Sequence, residues 1–241
     1  MSPDAPKVRA TFQAQVMHQL GQDICDGRYS PGQVLPPESD LCVRFGYSRI
    51  VIREAIKSLA AKGMLSVQRR IGTVVQATDD WNLFDPDVIG WRSRLLDQDP
   101  GMARDLADLR RIVEPGAARL AALRASAEER RQLRSAYQAM ARAVAGQGDY
   151  MAADLQFHSV LMAASGNQYV RGLRASMFAL LHTSFRAVTW KSDGPAASLP
   201  LHEAICVAIE QGDADAAERA AHALIDLAEA DLQEQLQTRK S

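Results

Sequence analysis

Three apolar stripes, each closed by a glycine, constrain the first third of this chain more than any other feature. Residues 8–26 carry Phe12, Val16, Leu20 and Ile24 at every fourth position, one face of an amphipathic helix that Gly27 ends. Tyr29-Ser30-Pro31-Gly32 reads as a turn. Pro36-Pro37 opens a second, short helix with Leu41 and Phe45 facing inward, and Gly46-Tyr47 turns out of it. Ser48 is placed to cap a third helix, buried through Ile52, Ile56 and Leu59 and ended by Gly63. Leu65 and Val67 then alternate with polar residues, and after a turn at 69–72 Thr73-Val74-Val75 can return as a second strand. Three short helices followed by a β-hairpin form the pattern of a winged helix-turn-helix.

The charge balance changes at the same place. Residues 1–75 hold ten Lys/Arg against six acids, a balance of +4, whereas the remainder carries −5. A short basic part joined to a longer acidic one suggests a nucleic-acid module tethered to a second function. The apolar fraction of 47% and charged fraction of 24% exclude wholesale disorder. No apolar run approaches the ~18–20 residues of a membrane helix, no secretory leader is visible, and no membrane partner is expected. Cys25, Cys42 and Cys206 are far apart and in no metal-type pair, which points to a reduced, cytoplasmic chain.

Beyond residue 85 the punctuation is that of helices. Asp85-Pro86 and Asp99-Pro100 are cap-then-proline starts, and Ser126 with Glu129 makes a capping box. Gly146 and Gly148 precede a helix over about 150–164, and Ser165-Gly166-Asn167 starts another. A Gly-, Pro-, Ser- and Ala-rich loop is expected near 192–199, and Asp213 caps the last helix. The fold class is therefore mostly α. A winged helix-turn-helix over 1–76 and a linker over 77–84 lead into an all-α helical bundle of six or seven helices over 85–241.

Within the bundle, Asp154 and His158 are spaced i, i+4 and lie on one helix face. Such a pair can chelate a divalent metal, with His202 as a third ligand, or can be a solvated pair or a hydrogen-bonded core histidine. Arg49 and Arg53 share one face of the third helix, where an arginine fork can read guanine, while Ser48 meets a phosphate. Arg69 and Arg70 at the wing tip suit phosphate or minor-groove contact. Local salt bridges to Glu38 or Glu54 are the alternative use of these arginines.

Two stretches carry a family resemblance. Gly27-Arg28-Tyr29-Ser30-Pro31-Gly32, Leu35-Pro36-Pro37-Glu38, Phe45-Gly46-Tyr47-Ser48-Arg49, Ile52-Arg53-Glu54-Ala55 and Gly72-Thr73 resemble the DNA-binding domain of the GntR family of bacterial regulators. Tyr47 departs from the small β-branched residue usual there, and Arg70 from a frequent wing glycine. The stretches Trp81–Val88, Leu109–Pro115, Asp154–His158 with Ser165-Gly166-Asn167, and His202 with Gly212-Asp213 resemble the ligand-sensing FCD domain of FadR-type members, closest to the sugar-acid (galactonate-type) branch. The resemblance implies a metal held by Asp154, His158 and His202, with Zn, Mn or Ni as candidates. A fourth family histidine would fall near Leu224. His222 lies two residues away, about 200° around a helix, and reads as a surface or interface histidine. The resemblance further implies a small carboxylate effector, a sugar acid or hydroxy acid, anchored by Arg110, with Asn167 and Trp190 as pocket candidates. From spacing alone Arg110 can equally bridge to Glu114.

The reading that follows is a ligand-responsive transcriptional regulator, a repressor that binds a palindromic operator as a homodimer. A metal-dependent enzyme acting on a small organic acid is the alternative, but no separate general base or nucleophile motif accompanies the ligand set. A sequence-indifferent nucleoid binder fits poorly with a near-neutral total charge.

Overall fold

The computed structural model describes residues 11–95, 99–188 and 194–238, and the chain divides into two compact units, residues 1–92 and 93–241. In the first unit, α1 (Phe12–Cys25) begins where the Thr11 hydroxyl accepts from the Ala14 N–H. Then come α2 (Glu38–Phe45), α3 (Arg49–Ala61), and the strands β1 (Leu65–Gln68) and β2 (Gly72–Val75). The strands pair antiparallel with Leu65 opposite Val75, and Val34 bridges to Val74 beside them. Gly63 must be glycine: its φ is +77°, and a Cβ there would sit 2.1 Å from the Asp80 carbonyl oxygen.

The expected stripes meet in one core of Val16, Leu20, Ile24, Leu41, Ile52, Ile56, Leu59 and Leu65. Two expected inward residues do not join it. Phe12 is 61% exposed and lies against the Tyr47 ring, centroids 5.1 Å apart. Val67 is 71% exposed, because only the base of the hairpin is covered while its tip projects.

The first unit also extends past the expected boundary at 76. The helix α4 (Pro86–Arg92), assigned from sequence to the bundle, packs with α1 instead. Val88, Trp81 and Trp91 complete the N-terminal core. The Trp91 indole N–H donates to His18 Nδ1 at 2.9 Å. The Lys62 ammonium reaches Asp85 and Asp87, each at 2.8 Å. Residues 77–84 are thus part of a packed unit: the Asn82 N–H donates to the Lys62 carbonyl, and the Trp81 indole to that of Gln76.

The second unit is helical throughout its described residues: α5 (Pro100–Arg124), α6 (Ala127–Val144), α7 (Tyr150–Ala164), α8 (Gln168–Gly172), α9 (Arg174–Val188), α10 (Gly194–Gln211) and α11 (Ala214–Thr238). The cap chemistry is as the sequence indicates, with Asp99 and Pro100 starting α5 and the reciprocal Ser126–Glu129 box starting α6. The loop expected near 192–199 is absent from 194 onward, where α10 already runs, and its first two residues lie outside the described residues. Pro195 fits a first turn, whose N–H groups have no helical partner, and Pro200 is accommodated inside the helix at the loss of one backbone bond. Phe157, Leu161, Leu133, Met140, Ile205, Ile209 and Leu224 fill the core.

The tightest helix contact in the first unit is testable. A Cβ on Gly21 would lie within 2.7 Å of three ring atoms of the buried Trp91. Helix propensity alone favours Gly21→Ala by about 1 kcal/mol, whereas overpacking costs about 1–3 kcal/mol. We expect the urea midpoint to fall. A rise would show that the indole can move aside.

Candidate metal centre and nucleic-acid interface

α7 sets Asp154 and His158 one turn apart, and α10 brings His202 to the same spot. All three are buried, with one ligand atom from each lying within 4.8 Å of the other two. The His202 Nδ1 lies 2.9 Å from the Ser198 carbonyl oxygen, which can only accept, so Nδ1 carries a proton. In the neutral ring this leaves the Nε2 lone pair 3.1 Å from Asp154 Oδ1. Two lone pairs facing one another repel, and no aligned hydrogen bond is present at this nitrogen. His158 lies between two carboxylates, Nδ1 at 3.2 Å from Glu114 Oε2 without an aligned hydrogen bond and Nε2 at 3.7 Å from Asp154 Oδ2. A carboxylate behind one imidazole nitrogen and a carbonyl behind the other imidazole is how metal-ligating histidines are oriented.

Charge points the same way. Glu114 is 2% exposed and takes Arg110 Nε at 2.7 Å. Burial works against its charge, but Arg110 and His158 outweigh burial and hold its carboxyl well below the usual range. Burial likewise opposes the Asp154 charge, and His158, His202 and Arg110 together keep its carboxyl low. Burial disfavours a charged His158, yet Glu114 and Asp154 raise its basicity above the ordinary value. Counting Glu114 and Asp154 against Arg110, the cluster lacks one buried positive charge, which either a proton on the basic His158 or a bound cation can supply. A cation between Asp154, His158 and His202 would balance it. The residues present therefore fit a metal.

Of the other bundle residues singled out from sequence, Arg110 makes the bridge to Glu114 that its spacing allows. Asn167 caps α8, its amide oxygen accepting from Tyr169 N–H. Trp190 lies outside the described residues. His222 is half-buried on α11 and absent from the ligand cluster, while Leu224 is a core residue. Sequence reasoning missed Glu114 as the support of His158. It noticed Glu114 only as the partner of Arg110, and nothing local joins α5 to α7.

On the first unit, Ser48 occupies the N-cap of α3 without a side-chain cap bond, so its hydroxyl is not committed to the helix. Arg49 and Arg53 follow on the exposed side and both reach Glu38 of α2, Arg49 Nε at 3.1 Å and Arg53 Nη2 at 2.9 Å. Of the two acids named from sequence, Glu38 is the one used; Glu54 pairs with Lys57. Arg69 and Arg70 stand exposed in the hairpin turn. Arg70 has φ +68°, which accounts for its place at a position that often carries glycine in the family it resembles.

Two family models match the chain in succession: the bacterial regulatory proteins of the gntR family over residues 12–75, and the FCD domain over 105–227. The chain belongs to the GntR family. It is a ligand-responsive, DNA-binding transcriptional regulator and not an enzyme. The galactonate operon transcriptional repressor of Escherichia coli K12 is 33% identical over 88% of this chain and 92% of its own length. An uncharacterised HTH-type regulator of the same strain, YieP, is 34% identical over 86% and 89%. Among solved structures, the Listeria monocytogenes regulator Lar shares the fold, with a TM-score of 0.64 at 21% identity over 95% of this chain and 98% of its own.

The buried charges set an expectation for stability. Glu114→Ala strands Arg110 and His158 without their carboxylate, and should cost about 3–5 kcal/mol in chemical unfolding. Arg111→Ala removes ion pairs to Asp226 and Glu229 that are partly exposed and screened by solvent, and should leave the unfolding midpoint nearly unchanged. Equal effects would mean that the Glu114 cluster is hydrated rather than buried.

Proposed function

We propose that this regulator is a repressor that releases its operator when a small carboxylate, a sugar acid or hydroxy acid, enters the FCD domain. The observation that carries this reading is the buried Asp154–His158–His202 set with Arg110 beside it. These residues would hold Zn, Mn or Ni, and the cation would offer an effector's carboxylate and hydroxyl oxygens a Lewis-acid seat. Arg110 engages Glu114 through Nε and one Nη. The rest of its fork is suited to an effector carboxylate. Asn167 and Trp190 are further candidates for the pocket. The name of the galactonate repressor supports a sugar acid, galactonate being the first to try.

On the DNA side, Ser48 and the wing arginines Arg69 and Arg70 would meet phosphates, and Arg49 and Arg53 would read base edges in the major groove. A single winged helix covers one half-site, so we propose a homodimer on a palindrome, acting in the cytoplasm. The two units, 1–92 and 93–241, would divide DNA contact from sensing.

Two measurements test this. Elemental analysis of purified protein should find a divalent metal, and resupplying Zn²⁺ at 100 times its Kd after chelation should stabilise by about 2.7 kcal/mol in scanning calorimetry. His158→Ala should lose that gain and His222→Ala keep it. Calorimetric titration with galactonate should then fail for both His158→Ala and Arg110→Ala, while only Arg110→Ala retains metal. Protein that stays metal-free after incubation with Zn²⁺, Mn²⁺ and Ni²⁺ would remove the metal from the reading. For DNA, Arg49→Ala should cost about 1–3 kcal/mol on the operator and relax one base position. Arg70→Ala should weaken all duplexes alike and reduce the salt slope by about 1. Unchanged operator selectivity in Arg49→Ala would displace the recognition helix from its assigned role.

A further inference from the structure

The two arginines assigned to base reading share one carboxylate, and the way they share it is specific. Glu38 lies in the first turn of α2. Its Oε1 accepts from Arg53 Nε at 3.1 Å and its Oε2 from Arg53 Nη2 at 2.9 Å, while Arg49 Nε approaches Oε2 at 3.1 Å. Both guanidinium groups are therefore gripped along the Nε side. The Nη1 atoms of both, and Nη2 of Arg49, make no hydrogen bond among the described residues. The free ends are the ones that can span the O6 and N7 acceptors of guanine.

We propose that Glu38 is a positioning residue for operator recognition, which aligns the forks of Arg49 and Arg53 and also disfavours their use on arbitrary DNA. The inference rests on the reading of those arginines as base readers. Three physical points support it. Both arginine side chains are more than half exposed, 66% and 56%, so without an anchor each would sample many rotamers that docking must freeze. Glu38 itself is only 27% exposed and sits on a different helix, so the anchor is fixed by the fold rather than by α3 alone. The hydrogen bond from Arg53, with the charges of both arginines, outweighs slight burial and holds the carboxyl below its ordinary value, so the anchor is an anion at neutral pH. An anion beside the reading face repels phosphate. It therefore penalises any complex in which the arginines swing away to the backbone, and selectivity gains from both effects.

The test uses the full-length protein and two duplexes of equal length. One is a site enriched from a random library by the protein itself, the other a shuffled version. Fluorescence anisotropy gives both affinities. Glu38→Ala should weaken the enriched site about tenfold, the order of one well-placed arginine–guanine contact, and tighten the shuffled duplex severalfold. Glu38→Gln, which keeps the side-chain length, should move both in the same directions by less, and serves if the alanine variant folds poorly. In the Arg49→Ala/Arg53→Ala background, Glu38→Ala should bring no further loss of selectivity. Three results overturn the proposal: both duplexes tightening equally, which marks a mask over the arginines; both weakening equally with a lowered melting temperature, which marks a structural role; or continued loss in the double-alanine background, which marks direct base contact by Glu38. Failure of the underlying reading looks different. In that case Arg49→Ala and Arg53→Ala themselves leave selectivity unchanged.

Discussion

A carboxylate that cannot be left alone organises the interior of the sensing domain. Glu114 is buried on α5, and two partners make its charge tolerable there: Arg110 one turn back on its own helix, and His158 on α7. His158 in turn faces Asp154, and Asp154 faces His202 of α10. Three helices are thus tied by contacts among carboxylates, a guanidinium and imidazoles that none of them can satisfy alone. Removing any member strands another in a low-dielectric surrounding, where the penalty exceeds what the pair contributes. Phe157 is fully buried beside the cluster, its ring nearly perpendicular to both imidazoles, with centroids 5.8 Å from His158 and 4.9 Å from His202.

In the N-terminal domain, charge is arranged on the surface instead. Among the described residues its interior is apolar apart from Asp23, which pairs with Arg28 and Arg44. Arg49, Arg53, Arg69 and Arg70, the cations proposed to face DNA, are left to solvent or to Glu38. A rigid apolar base and an adjustable charged face suit a surface that must first slide on phosphate and then settle on bases.

What could be read from the sequence was chemistry confined to a few residues of chain. The stripe of α3, the Asp99-Pro100 start and the Ser126–Glu129 box are local and recur in the structure as written, and that of α1 recurs without Phe12. Tyr150–Ala164 was bounded correctly because glycines stand before it and Ser165-Gly166-Asn167 after it. The start of α10 was hidden because Gly194 and Pro195 look like loop residues, although a first helical turn accepts both. Of the candidate metal centre, Asp154 and His158 were legible as an i, i+4 pair, and the approach of His202 rested on family resemblance. The support from Glu114 and Ser198 was invisible, since it depends on how helices distant in sequence come to lie side by side. That the first compact unit runs past residue 76 was invisible for the same reason. Nothing near Trp91 in the chain announces that its ring will rest on Gly21.

That last contact changes where the protein can be divided. A cut made at residue 76, where strand and turn signals run out, would strip the winged helix of Trp81, Val88 and Trp91 and expose the groove along α1 that they fill. It would also leave the Lys62 ammonium, only 13% exposed, without Asp85 and Asp87. Grafts that join this DNA-binding module to a foreign sensor should therefore carry the native chain through Arg92. The piece that reads as a tether in the sequence is, physically, the last wall of the module before it.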